Sequence, residues 1–408
     1  MPTQQNTTLH KTINNERVLS IDILRGFLLT LMVFVHFILY FGDEDATNTF
    51  TYFFFNDVLA DWGAAAFLMM MGMSQVLSSK KFIKPDNLLL FKRVLLRGGY
   101  IFVLGLIMLI LAWGPDKLWE WDILTLMGFA TIILFFCRFL PSWFLIILCC
   151  AIALLTPSIR SFFNITADWG FREPLFISKY LSGMFLDPLS DYHPAIIKGF
   201  FLSGYFAVLP WIIFSIIGFI LGRRIVSGKI KRDLPFLLIT GVLLLSLGFS
   251  LAYMGRTYPH SSVSYGLISP ICFLPDSFSM INIQAGMSIM VFAVAYFFYD
   301  IRKKDKASIG TVSRFFIRTS NFSLSFYFLH YMLIGWTLAI LYLITGKYMF
   351  SDMLGVIPAF LCGIVAVIFL EILIFFWGKA DSKYSLEWIL TKLTTFVFPG
   401  YKRSINKF

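Results

Sequence analysis

Charged residues are scarce in this chain. Asp, Glu, Lys and Arg make up 14% of 408 residues, where soluble domains carry roughly a quarter. With 58% of the residues apolar, the composition excludes both an ordinary soluble domain and a solvated disordered one. Cysteine is also sparse. The five, Cys137, Cys149, Cys150, Cys272 and Cys362, form no CxxC or metal-ligand spacing, so neither a disulfide framework nor a metal is predicted. HExxH, Walker and GxSxG patterns are missing, which removes the common signatures of zinc hydrolysis, P-loop phosphate binding and a nucleophile elbow. No repeat with a period of about 20 to 50 residues recurs. The first apolar stretch is too long for a cleaved signal and lacks a small-residue cleavage site.

What the chain has instead is a succession of apolar runs, each near the roughly 20 residues that cross a bilayer. They predict an all-α, polytopic integral membrane helical bundle of about ten transmembrane helices: 21–41, 58–78, 94–112, 122–138, 141–156, 199–222, 234–254, 278–299, 319–345 and 353–377. Pro141 divides the run at 122–156 into two spans. Around this transmembrane domain (18–378, with a long external loop at 157–198) the reading places a flexible N-terminal segment, 1–17, and a C-terminal tail, 379–408. The net charge of +11 reflects basic inter-span loops, not a nucleic-acid surface. One side of the bundle collects about 25 Lys and Arg and the other about 7, so the positive-inside rule puts both termini in the cytoplasm. The composition fits a bacterial inner membrane. It leaves oligomeric state open, a homodimer included.

Against this background "SIDILRGFLLTLMVFVHF", Ser20 to Phe37, is unusual. A helix turns ~100° and rises ~1.5 Å per residue. Arg25 and His36 are therefore three turns and roughly 16 Å apart on one face, with Asp22 on its flank. Gly26 beside Arg25 would let another backbone approach. Asp22 and Arg25 could be a border ion pair with Arg snorkelling to the headgroups, and His36 a hydrogen-bonded bundle residue. Ionisable groups inside membranes are nevertheless functional by default, and three on one stripe suggest a shared polar pathway. A second intramembrane histidine, His330 in "NFSLSFYFLHYMLIGW", shares a face with Ser323 and Tyr327. It too could simply bond a neighbouring helix. His10, His193 and His260 fall in the tail and external loops and read as solvated.

"RVLSIDILRGFLLTLMVFVHF" resembles the opening signature of the transmembrane acyltransferases: Arg, a short gap, Asp-x-x-Arg-Gly, an apolar helix, then a polar Asn or His. It is most similar to the branch containing the lysosomal heparan-α-glucosaminide N-acetyltransferase and its bacterial relatives; acyltransferase-3-type O-acyltransferases share a similar opening with a His in the comparable place. "DWGAAAFLMMMGMSQVLSSKKF", "WEWDILTLMGFATIILFF", "VLPWIIFSIIGFILGRRI" and "SLSFYFLHYM" resemble later segments in order. The resemblance implies transfer of an acyl group, usually acetyl, from acyl-CoA on the cytoplasmic side to an amine or hydroxyl, commonly of a carbohydrate, at the external side. His36 would be the active imidazole, with His330 as a second catalytic group. One departure stands out: in the lysosomal enzyme the active His lies in the loop after the first span, and here that loop, "GDEDATNTFTYFFFND", has none.

The implied chemistry then assigns further residues. The polyanionic donor needs cations, and Asp22, Arg25, Arg93 and Arg97 are the expected donor-binding set, with Lys80 and Lys81 nearby. Asp61, or Asp43, would orient the imidazole, although Asp61 could equally cap a helix. Trp62, Tyr327 or Ser74 could donate to an oxyanion or contact substrate. Trp169, Arg172, Glu173, Asp187, Tyr192 and His193 in the 157–198 loop suit a sugar or any folded cap. The rival reading is a transporter using Asp22, Arg25, His36 and His330 as its pathway; a third is a receptor or assembly protein with structural polar residues.

Overall fold

The computed structural model describes residues 17–43, 49–79, 87–163, 196–257, 267–268, 271, 277–302, 310–346 and 353–398. Lys80, Lys81, the three loop and tail histidines, Cys272 and the aromatic and charged residues named in the 157–198 loop lie outside them.

Twelve helices matter here. They are α1 (Leu19–Phe41), α2 (Gly63–Ser79), α3 (Asn87–Trp113), α4 (Ile123–Cys137), α5 (Ser142–Phe162), α6 (Val208–Val226), α7 (Ile230–Thr257), α8 (Phe278–Tyr296), α9 (Thr311–Asn321), α10 (Ser323–Thr345), α11 (Val356–Lys379) and α12 (Leu386–Val397). Among the described residues no β-strand forms beyond one bridge, Gly42 to Leu354. Eight helices, α8 with its π-helical continuation to Arg302 among them, are long and apolar enough to span a membrane, and α2 and α4 are shorter apolar helices in the same series. The protein is an all-α polytopic membrane bundle. Burial sorts its helices: 61% of the apolar window of α1 and 67% of that of α6 are buried, against 17% for α5 and α7. The first two are central, and the last two face lipid.

Local chemistry sets the helix ends. Asp122 caps α4, Ser277 caps α8 and Ser385 caps α12, each accepting from a backbone N–H in the first turn. Pro141, extended at φ −69° and ψ 152°, stands before α5 and separates it from α4, as its position in the sequence suggests. Three expected spans are not continuous helices. The stretch expected at 58–78 breaks at Asp61 and Trp62, so α2 starts only at Gly63. The stretch expected at 319–345 breaks at Phe322 (φ −109°, ψ 30°), which splits off α9. The polar run Thr319-Ser320-Asn321 offers side chains that compete with helical backbone bonds. The stretch expected at 199–222 is interrupted at Gly204 to Ala207, and α6 starts only at Val208.

The tail also holds a helix that the apolar runs do not reveal. α12 docks through Glu387, which accepts from Leu324 N (2.7 Å), Ser325 N (3.0 Å) and Ser325 Oγ (2.5 Å). α10 has no side-chain cap of its own, so Glu387 satisfies its orphan N–H groups from outside. On the other side of α1, Gly26 meets α9 backbone to backbone: a methyl there would run into the Phe316 carbonyl. The close approach expected at Gly26 is therefore made by α9.

Two outcomes follow. Gly26→Ala should cost about 1–3 kcal/mol through overpacking against a backbone that cannot yield, read as a lower unfolding midpoint in detergent; an unchanged midpoint would refute the contact. Burial pushes the Glu387 carboxyl above its ordinary value of 4.5. A raised folded value makes its contribution full below pH 4.5 and lost as pH rises through that folded value. Wild type should therefore lose thermal stability relative to Glu387→Gln over that rise, and parallel pH profiles would contradict the assignment.

Candidate active site

α1 and α10 bring the two intramembrane histidines together. His36 Nδ1 lies 3.0 Å from His330 Nε2, and the rings stack with centroids 5.2 Å apart. His330 is fully buried, whereas His36 is only partly so. The other nitrogen of His330, Nδ1, bonds the carbonyl of Tyr327 one turn back. A carbonyl only accepts, so His330 Nδ1 carries the proton. In a neutral ring Nε2 is then the acceptor, and His36 Nδ1 must donate to it. His36 Nε2 is left with its lone pair, on the less buried of the two rings.

Tyrosines and one carboxylate surround the pair. Tyr331 packs against both imidazoles, 5.2 Å from His36 and 4.3 Å from His330 by ring centroids, and Tyr40, one turn after His36, lies at 5.8 Å. The Tyr331 ring also stands 5.5 Å from that of Tyr327. Tyr327 donates to Asp122, at 2.8 Å from Oδ2 and 3.0 Å from Oδ1. The same carboxylate accepts from Leu124 N at 3.0 Å, so one buried acid both starts α4 and fixes α10.

The rim beside Asp122 is polar and aromatic. Glu120 pairs with Lys117, and Tyr205 N donates to the Glu120 carbonyl at 2.9 Å. Burial pushes the Glu120 carboxyl up against the pull of Lys117. It pushes the Tyr205 phenol up too, with Glu120 adding to it. Trp119 and Trp121 pack beside them, tilted, with ring centroids 5.4 Å apart.

At the opposite end of α1, Asp22 holds two arginines: Arg17 in a close ion pair and Arg25 at 3.9 Å. Arg25 also donates to Ser74 on α2, which places Ser74 at this end and away from the imidazoles. Arg17 reaches Asn321 Oδ1 at 2.5 Å, and Asp300 accepts from Leu19 N and Ser20 N at 2.8 and 3.0 Å. Arg93 stands over the Phe398 ring at 5.4 Å, and Arg97 is exposed on α3.

The expected set thus divides. His36, His330 and Tyr327 meet; Asp22 and Arg25 form a separate cluster; Arg93 and Arg97 stand on α3. Asp61 is engaged through its carbonyl, accepting from Gln284 at 3.0 Å, and Asp43 through its N–H to Leu354 O at 2.8 Å. Trp62 is buried in the main apolar core. Sequence reasoning missed Asp122, Tyr40 and Tyr331. The signals were present: a carboxylate opening an apolar helix in "WEWDILTL", and tyrosines at i+4 from His36 and next to His330.

A family model described as heparan-alpha-glucosaminide N-acetyltransferase, catalytic, matches residues 17–258, more than half of the chain. The chain belongs to this family. No curated protein matches it. Membership in the heparan-alpha-glucosaminide N-acetyltransferase family makes it a membrane acetyltransferase by class. The matched segment includes His36, the Asp22–Arg25 cluster and Asp122, while His330, Tyr327 and Tyr331 come from beyond it.

The Asp122–Tyr327 pair gives a stability test. Tyr327→Phe and Asp122→Ala should each cost roughly 1–3 kcal/mol by stranding a buried polar group, with a further ~1 kcal/mol from the lost cap in Asp122→Ala. The double variant should lose clearly less than the sum. Strict additivity in thermal unfolding would show that the two do not interact.

Proposed function

We propose that this chain moves an acetyl group from acetyl-CoA, bound at the cytoplasmic mouth marked by Arg25, to a hydroxyl or amine of a carbohydrate at the external mouth, with His36 as the reacting imidazole. One observation carries the reading: the hydrogen-bond pattern leaves His36 Nε2 unprotonated on the more accessible ring. A neutral imidazole with a free lone pair is both a base and an acyl carrier near pH 7.

Two routes use the same atoms. In the first, Nε2 attacks the thioester carbonyl, the C–S bond breaks and CoA leaves as its thiolate, while the Nδ1–H bond to His330 Nε2 spreads the positive charge of the acetylated ring. The acceptor oxygen or nitrogen then attacks the acetyl carbon, the C–Nε2 bond breaks to restore the neutral ring, and the acceptor's proton ends on the CoA thiolate. In the second, Nε2 takes the acceptor's proton as the acceptor attacks the thioester carbonyl, the C–S bond breaks, and the same proton passes to the CoA sulfur, which leaves as the thiol. His330 acts in both by holding the tautomer of His36, so it is a positioning residue. Tyr40 and Tyr331, beside the ring, supply hydroxyls to an oxyanion. Trp119, Tyr205 and Glu120 at the rim suit a sugar, with flat faces for its ring and an acid for its hydroxyls or amine.

The Arg25 end suits the donor. Arg17 and Arg25 share Asp22, so neither guanidinium has an exclusive carboxylate, and their remaining N–H donors suit phosphates. The basic loops of the same end support its cytoplasmic placement.

Purified protein should gain thermal stability with acetyl-CoA, and His36→Ala should lower acetyl transfer by about 10²–10⁴-fold, the worth of a base or nucleophile. Label from acetyl-CoA retained on His36 selects the first route, and its absence with full turnover selects the second. No donor binding, with His36→Ala as active as wild type, sinks the reading. Solute counterflow in proteoliposomes lost in the same variant would replace it with transport.

A further inference from the structure

Away from the histidines, α1, α9 and α11 leave a cavity of about 450 Å³ lined by Phe34, Phe315, Ile364, Ile368 and Phe375, with Arg318 and Glu371 in its wall. Its outer wall is open: Ile368 is 54% and Phe375 44% exposed. In a spanning bundle those side chains face lipid.

A charge in such a wall requires an explanation. Glu371 is buried and takes Arg318 Nε at 3.0 Å and Nη2 at 2.7 Å through one oxygen, while Thr319 donates to the other. The Arg318 side chain is still 36% exposed. A guanidinium has five N–H donors, so Glu371 satisfies only part of it, and the rest looks into an apolar groove where hydrocarbon offers no acceptor. A second cation stands close by. Lys379 Nζ lies 4.4 Å from the Phe375 centroid, and Arg318 lies 5.9 Å from the same ring. The groove therefore has an apolar length and a cationic end. From Ile364 to Phe375 is eleven helical residues, roughly 16 Å, close to half of the ~30 Å hydrocarbon thickness. Its length matches one leaflet.

We infer that this groove holds one anionic phospholipid, its phosphate on Arg318 and Lys379 and one acyl chain along α11. The remaining Arg318 donors then gain an acceptor, and Glu371 keeps that arginine from snorkelling away. A zwitterionic lipid presents its phosphate with a compensating cation and should compete poorly. The site is independent of the transfer chemistry, since Phe34 and His36 project from different sides of α1.

The test uses the full chain equilibrated in vesicles of equal parts phosphatidylglycerol and phosphatidylcholine, extracted, and weighed intact by native mass spectrometry. A cation near the surface attracts an anionic headgroup by about fivefold, the equivalent of ~1 kcal/mol, so wild type should retain phosphatidylglycerol over phosphatidylcholine at least fivefold. Lys379→Gln should reduce that preference. Adding the charge-neutral pair Arg318→Gln and Glu371→Gln, which keeps a hydrogen-bonded contact, should bring it to parity. Ile368→Trp, which fills the groove from its lipid side, should lose the retained lipid altogether. Equal retention of both lipids by wild type would overturn the inference, as would undiminished retention in Ile368→Trp. Displacement of the lipid by inorganic phosphate would show a headgroup site with no role for the groove.

Discussion

Two imidazoles held 3.0 Å apart inside a membrane bundle must divide their protons in one way. If both facing nitrogens carried a proton they would repel; if neither did, no bond would form. The Tyr327 carbonyl settles the choice by taking His330 Nδ1 as its donor, and that fixes the tautomer of His36 in turn. The tautomer of a residue on α1 therefore depends on a backbone oxygen of α10. Whatever sets the height and rotation of α10 sets the tautomer of His36.

Three contacts hold α10. Asp122 draws in Tyr327 from α4, Glu387 caps the first turn from α12, and Ser325 Oγ accepts from Leu386 N at 2.9 Å. Each carboxylate serves two elements at once. Buried acids that only stabilised would be poor value in hydrocarbon, where removing one partner strands the other. As locators they do more, because a hydrogen bond to a carboxylate fixes direction and register in a way that apolar packing between helices does not. The α9 crossing at Gly26 completes the frame: α1 is gripped near Arg25 by backbone contact and near His36 by the imidazole pair.

How much of this was legible in the sequence depends on the kind of signal. Apolar run length reports spans directly, so the ten segments were readable, and helical period put Arg25 and His36 on one face. Nothing in a run of apolar residues reports a break such as Phe322, because the interruption comes from Ser and Asn side chains whose partners lie elsewhere. α12 was hidden for a related reason: it is amphipathic and short, with Lys392 and Glu387 diluting its apolar residues, and its docking rests on polar bonds of Leu386 and Glu387 to Ser325, Leu324 and Tyr100. The pairing of His36 with His330 joins residues 294 apart, and no local pattern encodes that separation. Asp122 shows the limit most clearly. A helix cap explains it completely in the sequence, and its second bond, to Tyr327 on a distant helix, becomes visible only once the helices are packed.

The two ends of α1 also differ in how their charges are balanced, and this bears on the proposed donor. Arg25 already has Asp22 at 3.9 Å, and Asp22 is shared with Arg17. A phosphate arriving at this end would meet two arginines held by one carboxylate, so it need not displace a fully satisfied ion pair. An arginine with no counter-ion at the membrane border would snorkel outward; one with an exclusive partner would have little reason to change it. Sharing keeps the guanidinium groups at the mouth of the helix while leaving each with donors that Asp22 does not take. At the other end, beside the Asp122 carboxylate, the imidazole pair is ordered by the tautomer that the Tyr327 carbonyl selects. The proposed route, with an anionic donor at one end and a neutral imidazole at the other, therefore requires two different electrostatic environments roughly 16 Å apart on one helix.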